Sequence, residues 1–144
     1  MKLFSYEKDG GSESKVWGFF LIEAKRLFSV VLLHFKDGSR DAYHSHAFNS
    51  ISWVLKGELN EQMLGGYSIV YKPSLKPVIT RREYFHQVKS VGNTWVISFR
   101  GPWANTWKEF LPATQEILTL THGRRILSAQ DVERVADGLS PIGG

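Results

Sequence analysis

The sequence predicts an all-β fold, a sandwich or a jelly roll of about eight or nine short strands, followed by one short helix. Three observations predict it. Aromatic residues make up 13% of the chain, and such residues favour the half-buried faces of strands. Runs of β-branched, aliphatic and aromatic residues follow one another from Lys15 onward. Turn signals separate these runs at intervals of about 8–12 residues.

The individual elements follow from the residues between successive turns. The predicted strands cover residues 16–24, 27–35, 51–55, 67–71, 78–82, 85–91, 94–100 and 116–120. Asp37-Gly38 predicts a hairpin turn, and Gly101-Pro102 ends a strand because proline cannot donate to a sheet ladder. Ser128 as an N-cap, early acidic residues and a terminal glycine predict the helix over 128–138.

The length and the N-terminus define the expected organisation. A chain of 144 residues suits one domain over 1–144, with a barrel over roughly 15–122. No apolar run reaches the about 20 residues that a membrane helix needs. The first residues lack the apolar core of a signal peptide. We therefore expect a cytoplasmic protein that does not bind membranes.

Charge and cysteine content narrow the chemistry. The chain has no cysteine, which excludes disulfides, thiolate metal ligands and a cysteine nucleophile. It also lacks a Gly-x-Ser-x-Gly elbow and a P-loop, so no nucleophile is predicted. The net charge of +4 fits either a lysine-rich solvated surface or an anionic small-molecule ligand. Nucleic acid calls for a denser basic stripe and is not expected as a partner.

Three of the five histidines predict a metal site. His44 and His46 are two residues apart, so in a strand both imidazoles project from one face, about 7 Å apart at Cα. His86 lies in another predicted strand and can supply a third ligand from the far side of a barrel. His34 falls in an apolar strand and His122 in a turn, and neither is predicted to be a ligand.

The spacing around the first two histidines matches the first cupin motif. Gly38, five residues, His44-x-His46, three residues, Ser50, six residues and Gly57 stand at the intervals of that motif. Its glutamate, however, is replaced by Ser50. The second cupin motif has Pro-x-Gly-x-x-His, with Asn four residues later. This chain has Arg81-x-Glu83-x-x-His86 and then Ser90, so the histidine is kept and the turn residues are not.

The chain thus resembles the cupin superfamily, and within it a group of small, uncharacterised single-domain cupin-like proteins. Their pattern is His-Ser-His-x-aromatic-Asp/Asn, a strand ending in Gly, an Arg-rich segment before a distal His-x-Val, then Gly-Pro and a Trp. The matching segments here are 44–49, 51–57, 81–82, 86–88, 101–102 and Trp107. The resemblance covers roughly residues 30–111. It implies a double-stranded β-helix jelly roll in which His44, His46 and His86 hold one divalent metal ion.

The fourth ligand position departs from the family pattern. Most metal cupins use three histidines and one glutamate, whereas Ser50 is a poor ligand. Asn49 offers a carbonyl oxygen to the metal or its surroundings, but strand parity puts it on the opposite face from the histidines, so a bulge would be needed. The expected site is therefore neutral and open to water, oxygen or substrate.

This ligand set constrains the metal and its reaction. Iron–2-oxoglutarate enzymes need two histidines and a carboxylate, which the motif lacks. Three imidazoles on Fe²⁺ resemble the thiol dioxygenases, and the same set on Zn²⁺ would activate a water molecule. Fe²⁺ is favoured, with Zn²⁺, Mn²⁺ and Ni²⁺ as alternatives.

Arginine and aromatic residues near the histidines are the candidates for a substrate pocket. Arg81 or Arg100 would orient a negative group of the ligand through paired hydrogen bonds. Trp53, Tyr84 and Trp95 would form its wall, with ordinary core packing as the alternative interpretation.

The leading functional prediction is a metal-dependent oxidoreductase, a non-haem iron dioxygenase of a small, anionic molecule. The alternatives are a non-redox metal lyase, isomerase or hydrolase, and a non-catalytic ligand-binding module. The cupin fold supports all of these, so the fold does not choose among them. A homodimer is also compatible with the prediction, because an edge-rich jelly roll must cover its edge strands.

Overall fold

The computed structural model describes residues 1–10, 14–39, 43–111, 116–121 and 125–126, and all regular elements among them are β-strands. They are β1 (Lys2–Lys8), β2 (Val16–Ala24), β3 (Phe28–Phe35), β4 (Gly38–Ser39), β5 (Tyr43–His44), β6 (Ser50–Met63), β7 (Ser68–Tyr71), β8 (Val78–Thr80), β9 (His86–Arg100), β10 (Thr106–Leu111), β11 (Glu116–Thr121) and β12 (Arg125–Ile126). The predicted all-β fold is confirmed. The predicted helix over 128–138 and His122 lie outside the described residues.

The sheet is organised around β9, which has 15 residues. On one side β6 runs antiparallel to it from Ser50 to Met63. On the other side β3, β4 and β5 pair in turn with successive parts of β9. Strands β2 and β1 continue the sheet beyond β3, and β10, β11 and β12 continue it beyond β5. The two ends of β9 thus belong to different rows of strands, which is the arrangement of a jelly roll.

The long central strands differ from the sequence prediction, which divided β9 into 85–91 and 94–100. The structure joins these segments through Gly92, whose φ of 67° lies in the left-handed region. The side chain of Asp37 accepts a hydrogen bond from the Gly92 amide at 2.8 Å. Because glycine adopts this backbone conformation without strain, β9 bends there instead of ending. Strands β1 and β10 were not predicted at all.

A bulge in β6 determines which side chains face inward. Between Val54 and Lys56, β6 has one residue more than β9, and the register shifts again between Lys56 and Glu58, around Gly57 with its φ of 91°. The Thr94 hydroxyl donates to the Glu58 carbonyl and accepts from the Glu58 amide, both at 3.0 Å. A bulge adds one residue and reverses the alternation of side chains. Even-numbered residues therefore face inward before Gly57, and odd-numbered ones, including Glu61, face inward after it.

The main cluster of buried apolar side chains lies between the two rows of strands. Its members are Phe20, Val31, Leu33, Val54, Leu59 and Val96. Five of these six, all except Val31, also line a cavity of about 530 Å³ inside the barrel. The core thus forms the apolar wall of a cavity that could receive a small ligand. Among the described residues, there is no helix with the length and apolar character needed to cross a bilayer.

Candidate metal centre

The three predicted histidines meet at one point on the cavity wall. His44 ends β5 and pairs directly with His86, the first residue of β9, while His46 follows just after β5. Each imidazole offers one nitrogen, and these three nitrogens lie within 4.8 Å of one another. The ring centroids are 4.8–5.0 Å apart. The predicted cluster is therefore present, and it could hold a metal ion.

Ser45 fixes the segment that carries the first two histidines. Its amide donates to the Lys108 carbonyl at 2.9 Å, and its hydroxyl accepts from the Lys108 amide at the same distance. Lys108 belongs to β10, which also pairs with β5 at His44. Further along, the Ala47 carbonyl accepts from the Ala104 amide. Because Ser45 alternates with the histidines, its attachment to β10 leaves both imidazoles directed to the cavity.

The hydrogen bonds of His86 fix which nitrogen it offers. Its Nδ1 lies 2.9 Å from Oε2 of Glu61, an ionisable acceptor, so Nδ1–H donates and Nε2 keeps its lone pair. That Nε2 atom lies 2.6 Å from Nε2 of His46. Two imidazole nitrogens bound to one ion at about 2.1 Å each, at a right angle, would be about 3.0 Å apart. A small opening of the cluster would therefore admit a divalent ion.

Glu61 is held on both sides. It is only 8% exposed, and its second oxygen accepts a hydrogen bond from the Tyr71 hydroxyl at 3.3 Å. Burial, followed by the charge of Glu61 and its hydrogen bond, raises the pKa of Tyr71 to about 12. The phenol therefore remains protonated and donating at neutral pH. Tyr71, Glu61 and His86 form a continuous chain of hydrogen bonds that orients the imidazole.

A second carboxylate lies beside the cluster. Glu109 on β10 is the direct cross-strand partner of His44, it is 5% exposed, and it lines the cavity. Directly paired side chains project from the same face of a sheet. The sequence motif provides for a carboxylate only at its own glutamate position, and it did not predict Glu61 or Glu109. Ser50 does stand at the motif position and lines the cavity, but Glu61 and Glu109 bring carboxylates to the site from other strands.

Arg100 is the second polar feature of the cavity, and it lies at the opposite end of β9 from His86. Its guanidinium carbon lies 4.6 Å from the ring centre of Phe48, and the Phe48 ring lies 5.4 Å from that of His46. These two distances place the guanidinium no more than about 10 Å from the imidazole. One small molecule could contact both.

The other predicted polar residues lie elsewhere. Asn49 is exposed, and its side-chain oxygen accepts from the Arg82 amide at 2.9 Å, so it does not face the histidines. This agrees with strand parity and needs no bulge at Asn49. Arg81 is exposed as well, and it lines a different surface pocket together with Asn49. Of the two predicted arginines, the structure brings only Arg100 into the cavity with the histidines.

None of the three predicted aromatic wall residues lines this cavity. Trp53 donates to the Leu75 carbonyl, and Trp95 stacks on His34 with ring centres 4.2 Å apart. Both alternate with inward-facing neighbours and so lie on the outer face of the sheet. Tyr84 is exposed in the turn before β9, where strand parity does not apply. The aromatic side chains that do line the cavity include Phe20, Phe48, Trp103 and Trp107.

Comparisons with solved structures support the same architecture. An RmlC-like cupin from Shewanella frigidimarina is 17% identical and superposes with a TM-score of 0.54, covering 69% of this chain and 84% of that one. Ectoine synthase from P. lautus is 14% identical, with a TM-score of 0.55 and coverages of 63% and 67%. The Fe(II) form of HppE is 15% identical, with a TM-score of 0.55 and coverages of 67% and 55%.

The protein therefore has the cupin fold. No family model and no curated protein matches its sequence. The identities to the solved structures are low enough that the likeness extends to the fold alone. One cavity of this chain combines a three-histidine cluster, two adjacent buried carboxylates and a buried arginine.

Proposed function

We propose that this protein is a metal-dependent oxidoreductase, a non-haem Fe²⁺ dioxygenase that acts on a small anionic molecule. The observation that carries the proposal is the three-histidine cluster, which opens onto a cavity of about 530 Å³. A cavity of this size accommodates a small organic molecule. HppE, a protein with a similar fold, has a structure in its Fe(II) form, and we extend that metal to this site as part of the proposal.

The histidines and the residues around them have different roles in the proposed site. His44, His46 and His86 would hold the ion, which when bound supplies redox chemistry with dioxygen. Glu61 keeps the proton of His86 on Nδ1, so that Nε2 remains available as a ligand. Tyr71 holds the other oxygen of Glu61 and prevents the carboxylate from turning away. The apolar wall of the cavity, which includes Phe20 and Val54, excludes water from the site.

The substrate would be held at its negative end by Arg100. A guanidinium forms two parallel hydrogen bonds with a carboxylate, and this fixes both the position and the orientation of the bound group. Arg100 also packs near the faces of Phe48 and Phe20, which keep water from competing for its nitrogens. The substrate would thus extend from Arg100 toward the histidines.

Metal analysis tests the proposal. Untagged protein should contain iron, and His86→Ala should lose it, because that substitution removes one of the three ligands. His34→Ala is the matched control, since His34 lies on the outer face against Trp95 and should leave the metal content unchanged. Iron-loaded protein should consume dioxygen with at least one small carboxylate. Protein that contains no iron and takes up none when it is added would refute the proposal.

A second candidate is a non-redox metal enzyme, such as a lyase, an isomerase or a hydrolase. Glu109 favours it, because a buried carboxylate beside His44 is placed to act as a general base. Zinc in the purified protein, together with no oxygen consumption, would support this candidate. Glu109→Gln should then abolish turnover while the metal content stays the same.

A further inference from the structure

Arg100 is an unusual residue to find in the cavity wall. It is 5% exposed, and its Nε atom has no hydrogen-bond partner among the described residues. Its guanidinium carbon lies 4.6 Å and 5.8 Å from the ring centres of Phe48 and Phe20, which offer no hydrogen-bond acceptor in return. A buried cation in such surroundings is costly unless an anion neutralises it. The arrangement is therefore that of an anion-binding subsite.

In this structure a carboxylate of the chain itself fills the subsite. Asp9 accepts two hydrogen bonds from Arg100, at 3.1 Å from Nη1 and 2.6 Å from Nη2, one on each of its oxygens. This is the paired geometry in which arginine binds a carboxylate of any origin. The Asp9 side chain is 27% exposed, so this partner comes to Arg100 from the mouth of the cavity.

Asp9 lies at the edge of the sheet, where its amide donates to the Val16 carbonyl at 2.9 Å. It follows β1, which pairs only with β2 among the described strands and has an exposed side chain at six of its seven positions. An edge strand with so little buried surface opens at low free-energy cost. Lys8, Lys15 and Lys36 line the same cavity and offer a counter-charge to Asp9 once it leaves Arg100.

We propose that Asp9 occupies the Arg100 subsite in place of the ligand, and that a small carboxylate binds by displacing it. Binding of the carboxylate at Arg100 does not depend on the proposed function. Only the approach of the rest of the ligand to the histidines, no more than about 10 Å away, rests on that function. A carboxylate suits the subsite better than a phosphate. The two-oxygen pairing that Asp9 makes with Arg100 is the geometry of a carboxylate. Asp9 thereby sets the minimum affinity for Arg100 that a ligand needs, because only an anion that pairs better with Arg100 than Asp9 does can displace it.

Calorimetric titration of the full-length protein with propionate tests this exchange, with neutral propionamide of the same shape as the comparison. Asp9→Asn removes the competing charge and should tighten propionate binding at least about tenfold, because hydrogen bonds to charged groups are worth more than this factor. Propionamide should bind measurably to neither protein. Glu7→Gln is the matched control, because Glu7 lies two residues before Asp9 and also lines the cavity, but it pairs with Lys2 instead of Arg100.

Arg100→Gln should abolish propionate binding, both alone and combined with Asp9→Asn. If Arg100→Gln does not fold, the comparison of Asp9→Asn with Glu7→Gln still decides the question. Propionate affinity that is unchanged or lower in Asp9→Asn would overturn the inference. Binding that depends on His86 but not on Arg100 would overturn it as well, because the anion would then sit at the histidines. Metal content measured on the same samples separates this result from the proposed function: protein without metal would refute the latter only.

Discussion

Glu61→Gln is the substitution that most directly tests how the candidate metal centre is built. Glu61 now accepts two hydrogen bonds, one from Nδ1–H of His86 at 2.9 Å and one from the Tyr71 hydroxyl at 3.3 Å. Glutamine has the same shape, but only one of its two terminal atoms accepts. If the amide oxygen keeps the hydrogen bond from Nδ1–H of His86, the imidazole loses only the negative charge of its acceptor. If the amide nitrogen faces His86 instead, the ring must adopt the other tautomer and its Nε2 can no longer bind a metal.

The orientation of the glutamine amide determines how much metal affinity is lost. The Tyr71 hydroxyl can turn to accept from the new amide nitrogen, so the first arrangement costs less and should dominate. Loss of a carboxylate behind a ligating histidine typically weakens metal binding about 10–100-fold. We expect the lower end of this range, about tenfold or about 1.4 kcal/mol. Tyr71→Phe should have a smaller effect in the same direction, because Glu61 keeps its charge.

The assay is a competition titration of untagged protein against a chelator of known affinity, carried out with Fe²⁺ under anaerobic conditions and with Zn²⁺. Glu58→Gln serves as the control, because Glu58 lies on the same strand but pairs with Lys72 outside the cavity. The reasoning would be refuted if Glu61→Gln protein folds like the wild type and binds each metal as tightly as the wild type does. The chain from Tyr71 to His86 would then be a feature of packing without influence on the ligand.

Three further predictions concern the fold around the site. Gly57→Ala should destabilise the protein by about 1–3 kcal/mol in chemical denaturation, because the left-handed backbone strains any other residue and a Cβ there would clash with Thr94; unchanged stability would argue against the bulge. The pKa of Tyr71, about 12, exceeds its ordinary value of 10, so between these pH values the unfolded chain releases a proton that the folded chain retains. Stability should therefore fall as the pH rises from 10 to 12, and this fall should be shallower in Tyr71→Phe. Trp95→Ala should lower the midpoint of thermal unfolding yet leave metal affinity as it is, because Trp95 packs against His34 outside the barrel; a loss of metal would place it at the site after all.

The histidine cluster was predictable from the sequence because its information is local. His44 and His46 lie on one face of a short segment, and the motif spacing identifies His86 as their partner. Most strands were predictable for the same reason, since a run of apolar residues between turns is a local pattern. Of the substrate pocket, only Arg100 was placed correctly in the cavity.

The residues that the sequence did not reveal depend on long-range register. Glu61 faces inward only because the bulge between Val54 and Lys56 reverses the alternation along β6. Glu109 lies on β10, a strand that was not predicted, whose pairing with β5 spans more than 60 residues of sequence. Asp9 meets Arg100 across 91 residues. The one local signal was Gly57, because an isolated glycine inside a strand pattern suggests a nearby bulge.

The replacement of the motif glutamate by Ser50 takes on a different meaning once Glu61 and Glu109 are placed. A glutamate bound directly to an ion supplies a negative charge but also occupies one coordination position. A carboxylate that acts through the Nδ1–H of His86 supplies part of that charge from behind the ligand and occupies none. The proposed site would thus combine the charge compensation of a carboxylate with the openness of three histidines alone. This combination suits a reaction in which both dioxygen and an organic substrate must approach the same ion.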